Sequence, residues 1–220
     1  AEAAKVVLGS PDRETIAGEP GEIVRELSSA LEHLDAEVAD RILDRAFATL
    51  AFETVAEEVV LPVLRGIGEG WSRGTVTVSQ EHFASNLLRG RLANLARGWG
   101  NGHGPKALLA CPAGEEHDLP LLAFGIVLNR NGWRISYLGA NTPLEDLTRT
   151  AAELQPDLIV LAAVTPERFN DANGYLSRLA RIAPLALAGA GATHARAHAV
   201  GAHLLNEDPV TAAEQMRPPR

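Results

Sequence analysis

The chain holds 220 residues, 46% of them hydrophobic and 22% charged, and its 20 Lys and Arg against 28 Asp and Glu give a formal charge of −8. Such a chain is long enough to bury a core in one large or two small domains, which excludes disorder, collagen and a coiled-coil rod. Its acidity leaves no long-range attraction for a phosphate backbone, so nucleic-acid binding by this stretch itself is not expected. The single cysteine, Cys111, excludes an internal disulfide framework and a zinc-thiolate cluster and fits a reducing cytoplasm. No apolar run reaches the roughly 18 residues of a membrane span, and no signal peptide is visible. The chain starts at Ala1 without a methionine, as expected if an upstream segment has been removed.

Residues 1–20 carry Pro11, Gly18 and Pro20 with little periodicity and read as a lead-in. From 21 to 98 apolar residues recur at helical spacing, first Ile23, Leu27, Leu31 and Leu34, then Val38, Ile42 and Leu43, then Phe52 through Ile67. Four helices fit. Asp35 is the expected N-cap of the second, Pro62 kinks the third, Gly66 and Gly68 end it, and Ser79 caps a fourth running to about Arg97. The glycine-rich residues 99–105 read as a linker.

Beyond it, residues 106–220 alternate short apolar runs with helical patterns. The runs are Ala107 to Ala110, Ile135 to Leu138, Leu158 to Leu161 and Leu185 to Ala188, with a weak fifth at Ala202 to Leu205. Continuous apolar runs between helices indicate parallel strands buried on both faces. Thr142-Pro143 with Glu145 and Asp146 starts a helix directly after the second strand. The expected architecture is an N-terminal four-helix bundle followed by a flavodoxin-like or Rossmann-like doubly wound sheet, which binds ligands beyond the carboxyl ends of its strands.

The loop after the first strand, Cys111 to Pro120, places His117 at that edge among Glu115, Glu116 and Asp118. An imidazole there can bind a metal through one nitrogen while a carboxylate, Glu115 first, accepts the other N–H. A surface histidine among acids, or one capping the next helix, is the plainer alternative, and one histidine does not make a zinc site. Metal binding by His117 therefore requires a cofactor with its own equatorial ligands. In the first half, Trp71 follows Gly66, Gly68 and Gly70 and precedes Gly74, an indole expected on a turn and outside the core. Glu81 and His82 fall in the first turn of the fourth helix, where an acid is expected for dipole reasons alone. The loop Ala188 to Thr193 can approach a ligand closely or is a plain turn, and His194 and His198 read as a solvated face.

Taken together, Leu61-Pro62-Val63-Leu64, then Gly68-Glu69-Gly70-Trp71, nine residues and Glu81-His82, with Glu115-Glu116-His117 in the second half, resemble the cobalamin-binding module of CarH-type light-responsive regulators. The resemblance spans about residues 22–215. It implies that His117 is the lower axial cobalt ligand with Glu115 behind it, and that Trp71, Val78, Glu81 and His82 cover the upper face. The same resemblance assigns a slot for the nucleotide tail to the small residues Ala162, Ala163, Ala188, Gly189 and Gly191. It implies a photoreceptor rather than an enzyme, acting in the cytoplasm as a homo-oligomer, a dimer in the first instance, through a downstream protein or a separate DNA-binding domain. A corrinoid protein of a methyltransferase system and a partner-binding module without cofactor are the alternatives.

The chain departs from that pattern at four places. Pro120 stands where the family has glycine, Ala162 where it has serine, and Ala188-Gly189 where it has two glycines. Ser72 replaces a second histidine able to ligate cobalt once light has removed the upper alkyl group, so either His82 takes that position or the light response differs. No helix-turn-helix segment precedes the bundle in the residues given. Stand-alone modules of this kind resemble the photocobilins, which hold biliverdin beside cobalamin. A bilin here is expected to bind without a bond to Cys111, with Arg89, Arg91 or Arg134 as partners for its propionates.

Overall fold

The computed structural model describes residues 18–171, 174–216 and 218, and residues 1–17 of the expected lead-in lie outside them. Two compact units divide between Ala84 and Ser85. The first is helical. α1 (Pro20–Glu32) and α2 (Ala36–Thr49) bury Ile23, Leu27, Leu31, Ile42 and Leu43. Asp35 caps α2 as its sequence predicts, accepting from the Val38 N–H at 3.0 Å.

The third predicted helix is α3 (Phe52–Val55), one wide turn at Ala56–Val60, and α4 (Leu61–Ser72). The wide turn stands directly before Pro62, whose ring would otherwise press on the carbonyl four residues back. Gly66 and Gly68 do not end this helix: it runs through them to Ser72, so Trp71 sits on its last turn and not on a separate turn. A glycine weakens a helix by only about 1 kcal/mol, which packing overrides. Gly70 is there for space, because a Cβ would lie 2.5 Å from Val76 Cγ2 where the chain folds back. The actual stop is Gly74 at φ +74°, whose N–H donates to Trp71 O.

α5 (Val78–Leu95) crosses the division between the units. Its cap is Thr77, not Ser79. The Thr77 hydroxyl accepts from Gln80 N–H at 3.3 Å while Gln80 Oε1 accepts from Thr77 N–H at 2.8 Å, a reciprocal capping box.

The second unit holds a five-stranded parallel sheet in the order β2-β1-β3-β4-β5. Its strands are β1 (Lys106–Pro112), β2 (Arg134–Thr142), β3 (Leu158–Ala162), β4 (Leu185–Ala188) and β5 (His203–Leu205). The crossovers carry α6 (Leu119–Arg130), α7 (Leu144–Leu154), α8 (Tyr175–Ile182) and α9 (His194–Val200), and α10 (Pro209–Gln215) packs on α6. A core of Leu108, Ile159, Leu161, Leu187, Leu147, Phe169, Leu176 and Leu179 fills the space between the sheet and α7 to α9. Pro120 lies in the first turn of α6, where a missing N–H costs nothing.

The stretch expected as a linker, 99–105, is tied to the sheet unit. Trp99 O accepts from Ile135 N–H at 2.9 Å, and Gly104 O accepts from Arg134 Nε at 2.6 Å. A Cβ on Gly104 would fall 1.8 Å from Gly132 O, so glycine serves close backbone approach here and not slack. No helix among the described residues is long and apolar enough to cross a membrane.

Candidate functional site

In this strand order the direction of winding reverses between β1 and β3, and the crevice beyond their carboxyl ends is where such a sheet takes a ligand. Glu115 bridges that point. Its side chain is 2% exposed, yet every oxygen is satisfied. Oε1 accepts from the His117 N–H at 2.9 Å and lies 2.6 Å from His117 Nδ1, and Oε2 accepts from the Val164 N–H beyond β3 at 2.7 Å. Burial alone would raise this carboxyl, but those N–H groups and the imidazole outweigh it and hold it below the usual range. An ionised Glu115 accepts only, so in the neutral form of the facing ring the proton belongs on Nδ1 and the lone pair on Nε2. The imidazole is 68% exposed.

Asn141 holds the same loop from β2, in the left-handed region at φ +54°, a conformation asparagine tolerates. Its Oδ1 accepts from Gly114 N–H at 2.7 Å and its N–H donates to Glu115 O at 2.9 Å. Asp118, 3% exposed, occupies the N-cap position of α6 without capping it. Its carboxylate accepts instead from Arg89 Nη1, at 2.6 and 2.7 Å, and from the Tyr137 hydroxyl at 2.8 Å. Burial and the Asp118 charge push the Tyr137 hydroxyl up, so it stays protonated and donates.

The small residues assigned to the tail slot divide into two groups. Ala162, Ala188 and Gly189 reach the surface, whereas Ala163 and Gly191 are buried. A Cβ on Gly189 would lie 2.4 Å from Ala163 O, and one on Gly191 2.3 Å from Thr165 O. These glycines let the loops after β3 and β4 pack backbone to backbone, a requirement of the fold with or without a ligand.

In the helical unit Trp71 and Val78, each 53% exposed, flank the corner between α4 and α5. Glu81 Oε2 lies 2.6 Å from His82 Nδ1, and the His82 side chain is 69% exposed. Ser72 Oγ donates to Glu69 O at 2.8 Å, so that hydroxyl is spent on its own helix. Of the arginines expected for bilin propionates, Arg89 is held by Asp118, and Arg91 has a partner of its own. Arg134 stands at the start of β2, the opposite end of the strands from His117. Cys111 is fully buried, and burial, with the Asp118 and Glu115 charges, pushes its thiol up to about 12. His194 and His198 are exposed, and no group of three metal-binding side chains occurs among the described residues.

Residues 23–96 match one family model described as a B12 binding domain, and residues 105–214 match a second with the same description. The chain belongs to the B12-binding family. It is a cobalamin-binding module of the CarH type, 36% identical over 158 residues to the HTH-type transcriptional repressor CarH of Myxococcus xanthus, an alignment covering 71% of this chain and 53% of that protein. The repressor CarA of the same organism is 34% identical over 168 residues, 74% of this chain and 57% of that one. The chain thus spans little more than half the length of these relatives. The monomethylamine corrinoid protein of Methanosarcina barkeri shares the fold, with a TM-score of 0.72 over 89% of this chain and 97% of that one at 17% identity.

The site fits a B12 cofactor by its donor chemistry. A corrin brings four equatorial nitrogens and would take one further base from the protein, and at the carboxyl edge of its strands the sheet unit presents the exposed imidazole of His117, with Nδ1 facing Glu115 and Nε2 turned free of it. Four site features escaped sequence reading: the Val164 amide, Asn141, Tyr137 and the Arg89–Asp118 pair. Only the Asn141 position carried a signal, as an asparagine ending a strand.

Proposed function

We propose that the chain is a light-responsive module, not a turnover enzyme, in which His117 Nε2 ligates the lower face of cobalt. When bound, cobalamin supplies light absorption and a photolabile cobalt–carbon bond. Glu115 keeps the proton on Nδ1 and aims the ring. The helical unit contributes Trp71, Val78, Glu81 and His82 to the upper face, and two of these are large apolar groups left exposed by their own unit. His82 is the replacement upper ligand in this reading, because the Ser72 hydroxyl is turned back on its helix. Small residues at Ala162, Ala188 and Gly189 border the tail. Signalling then runs through contacts between copies of the chain, a dimer first, or with a downstream partner in the cytoplasm.

The observation that carries this reading is the exposed imidazole whose Nδ1 is anchored to a buried, triply bonded carboxylate. The test is the absorption spectrum of the chain loaded with adenosylcobalamin in the dark, before and after illumination and without substrate. A light-induced spectral change that persists in the dark, with a shift in oligomer size, is expected. A spectrum unmoved by light, with cobalt cycling only when a methyl donor is added, overturns the reading in favour of a methyl carrier. Parallel incubation with biliverdin tests for the second pigment.

A further inference from the structure

Asp118 follows His117 directly, occupies a helix N-cap position, and leaves the cap unmade. Its carboxylate is 4% exposed, and three side-chain contacts from two distant elements converge on it. Arg89 comes from α5, 29 residues earlier, and Tyr137 from β2, 19 residues later. The Tyr137 ring lies 5.6 Å from that of Trp99. Helix capping needs none of this, and the residues proposed above to contact the cofactor use none of it.

We infer that the Arg89–Asp118 pair fastens the His117 loop to helix α5, so that the position of the imidazole and the order of residues 85–95 are set together. The physical reason is the burial of the acid. Moving the loop while Arg89 stays behind strands a carboxylate in a dry site, which is far costlier than parting two surface charges. The loop and the helix therefore move as one or hold as one. Since α5 continues across the division between the two units, displacement of His117 reaches the helical unit through an unbroken stretch of backbone. Arg89 is thus a positioning residue. The link stands on contacts in the protein alone, while its use in signalling rests on the function proposed above.

Arg89 makes both contacts through one nitrogen, Nη1, which yields a discriminating pair of variants. Arg89→Lys retains a cation able to reach the acid, and Arg89→Met keeps the stem without the charge. Hydrogen exchange is followed in the cofactor-free chain at residues 113–122 and 85–95. Arg89→Met speeds exchange in both segments, by roughly tenfold or more for a stranded buried charge. Arg89→Lys stays near wild type, and Asp118→Asn combined with Arg89→Met adds little beyond either change alone. Uncoupled behaviour, with 113–122 protected as before in Arg89→Met, overturns the link whether or not the chain binds cobalamin.

A second arm loads hydroxocobalamin. Arg89→Met loses about tenfold in affinity, as for outer partners of metal ligands, and Arg89→Lys recovers it. The added protection that loading gives residues 85–95 in the wild type vanishes in Arg89→Met. If that protection persists, the signalling role is wrong. A wild-type chain that takes up no cobalamin but shows the coupled exchange refutes the proposed function and leaves the link standing.

Discussion

His117 in the sheet unit and His82 in the helical unit are both exposed imidazoles with Nδ1 2.6 Å from a carboxylate, but their anchors differ. Glu115 is 2% exposed and accepts from two backbone N–H groups besides the ring, one of them across the switch point from the β3 loop. Glu81 is 30% exposed and is the immediate chain neighbour of the histidine it meets. The first arrangement fixes a tautomer and a direction before any ligand arrives. The second is a surface pair of the kind worth under about 1 kcal/mol. The Glu115 anchor is buried and preorganised and the Glu81 anchor lies nearer the solvent, which is the contrast expected if the first imidazole holds cobalt permanently and the second responds to a change in its ligation.

The largest effect expected is on the scaffold of the preorganised side. Gly191→Ala drives a Cβ against Thr165 O at 2.3 Å, so a loss of roughly 2–4 kcal/mol in urea unfolding is expected. Gly68→Ala, with open space around it in α4, is expected to be neutral or to stabilise by up to about 1 kcal/mol. Equal losses at both glycines would erase the contrast. Next comes Glu115→Gln, which keeps the shape of the anchor but not its charge. Cobalamin affinity falls about 10- to 100-fold by spectral titration, whereas Glu81→Gln changes it by less than about threefold.

Two helix caps sharpen the same comparison. Asp208 accepts from the Val210 and Thr211 N–H groups in the sheet unit, whereas Asp35 accepts only from Val38 in the helical unit. Burial would raise the Asp208 carboxyl, but the Thr211 and Val210 donors win and hold it below its ordinary value of 3.8. Its contribution, about 1 kcal/mol for a cap, is complete above that ordinary value and is lost as pH falls through the lower folded one. The gap in urea midpoint between wild type and Asp208→Ala should therefore be constant at neutral pH and close in acid. A gap that widens in acid contradicts the assignment. The smallest effect is at the soft corner. Trp71→Ala and His82→Ala should each leave the apo-protein melting free energy within about 0.5 kcal/mol while altering the upper-ligand spectrum. A large drop in melting temperature would mean the indole belongs to the core.

Much of this was legible along the chain because its cause is local. β1, β3 and β4 show as unbroken apolar runs, since a parallel strand buried on both faces needs no alternation, whereas β2, expected to be buried in the same way, is the edge strand and is only partly buried, with Leu138 39% exposed. Glu115 and His117 are two residues apart, so their pairing could be read directly. The end of α4 was misread because glycine has two uses. At Gly66 and Gly68 it merely weakens a helix, at Gly70 it makes room for Val76, and only at Gly74 does its positive φ stop the chain. The cap of α5 was misplaced because Thr77 and Ser79 are both capping residues, and only the reciprocal Gln80 bond decides between them. Nothing local announces that Val164, 49 residues from Glu115, would donate to it, or that Arg89 would cross 29 residues to Asp118. Those contacts exist only once the strand order is set.

The most direct test of the account is the dark absorption spectrum of the cobalamin-loaded chain beside that of His117→Ala. The wild type should show the base-off, His-on form. The variant should lose that signature and retain the vitamin poorly, while its apo-protein unfolds at the wild-type urea midpoint. An unchanged spectrum with unchanged retention in His117→Ala would mean that another group holds the cobalt.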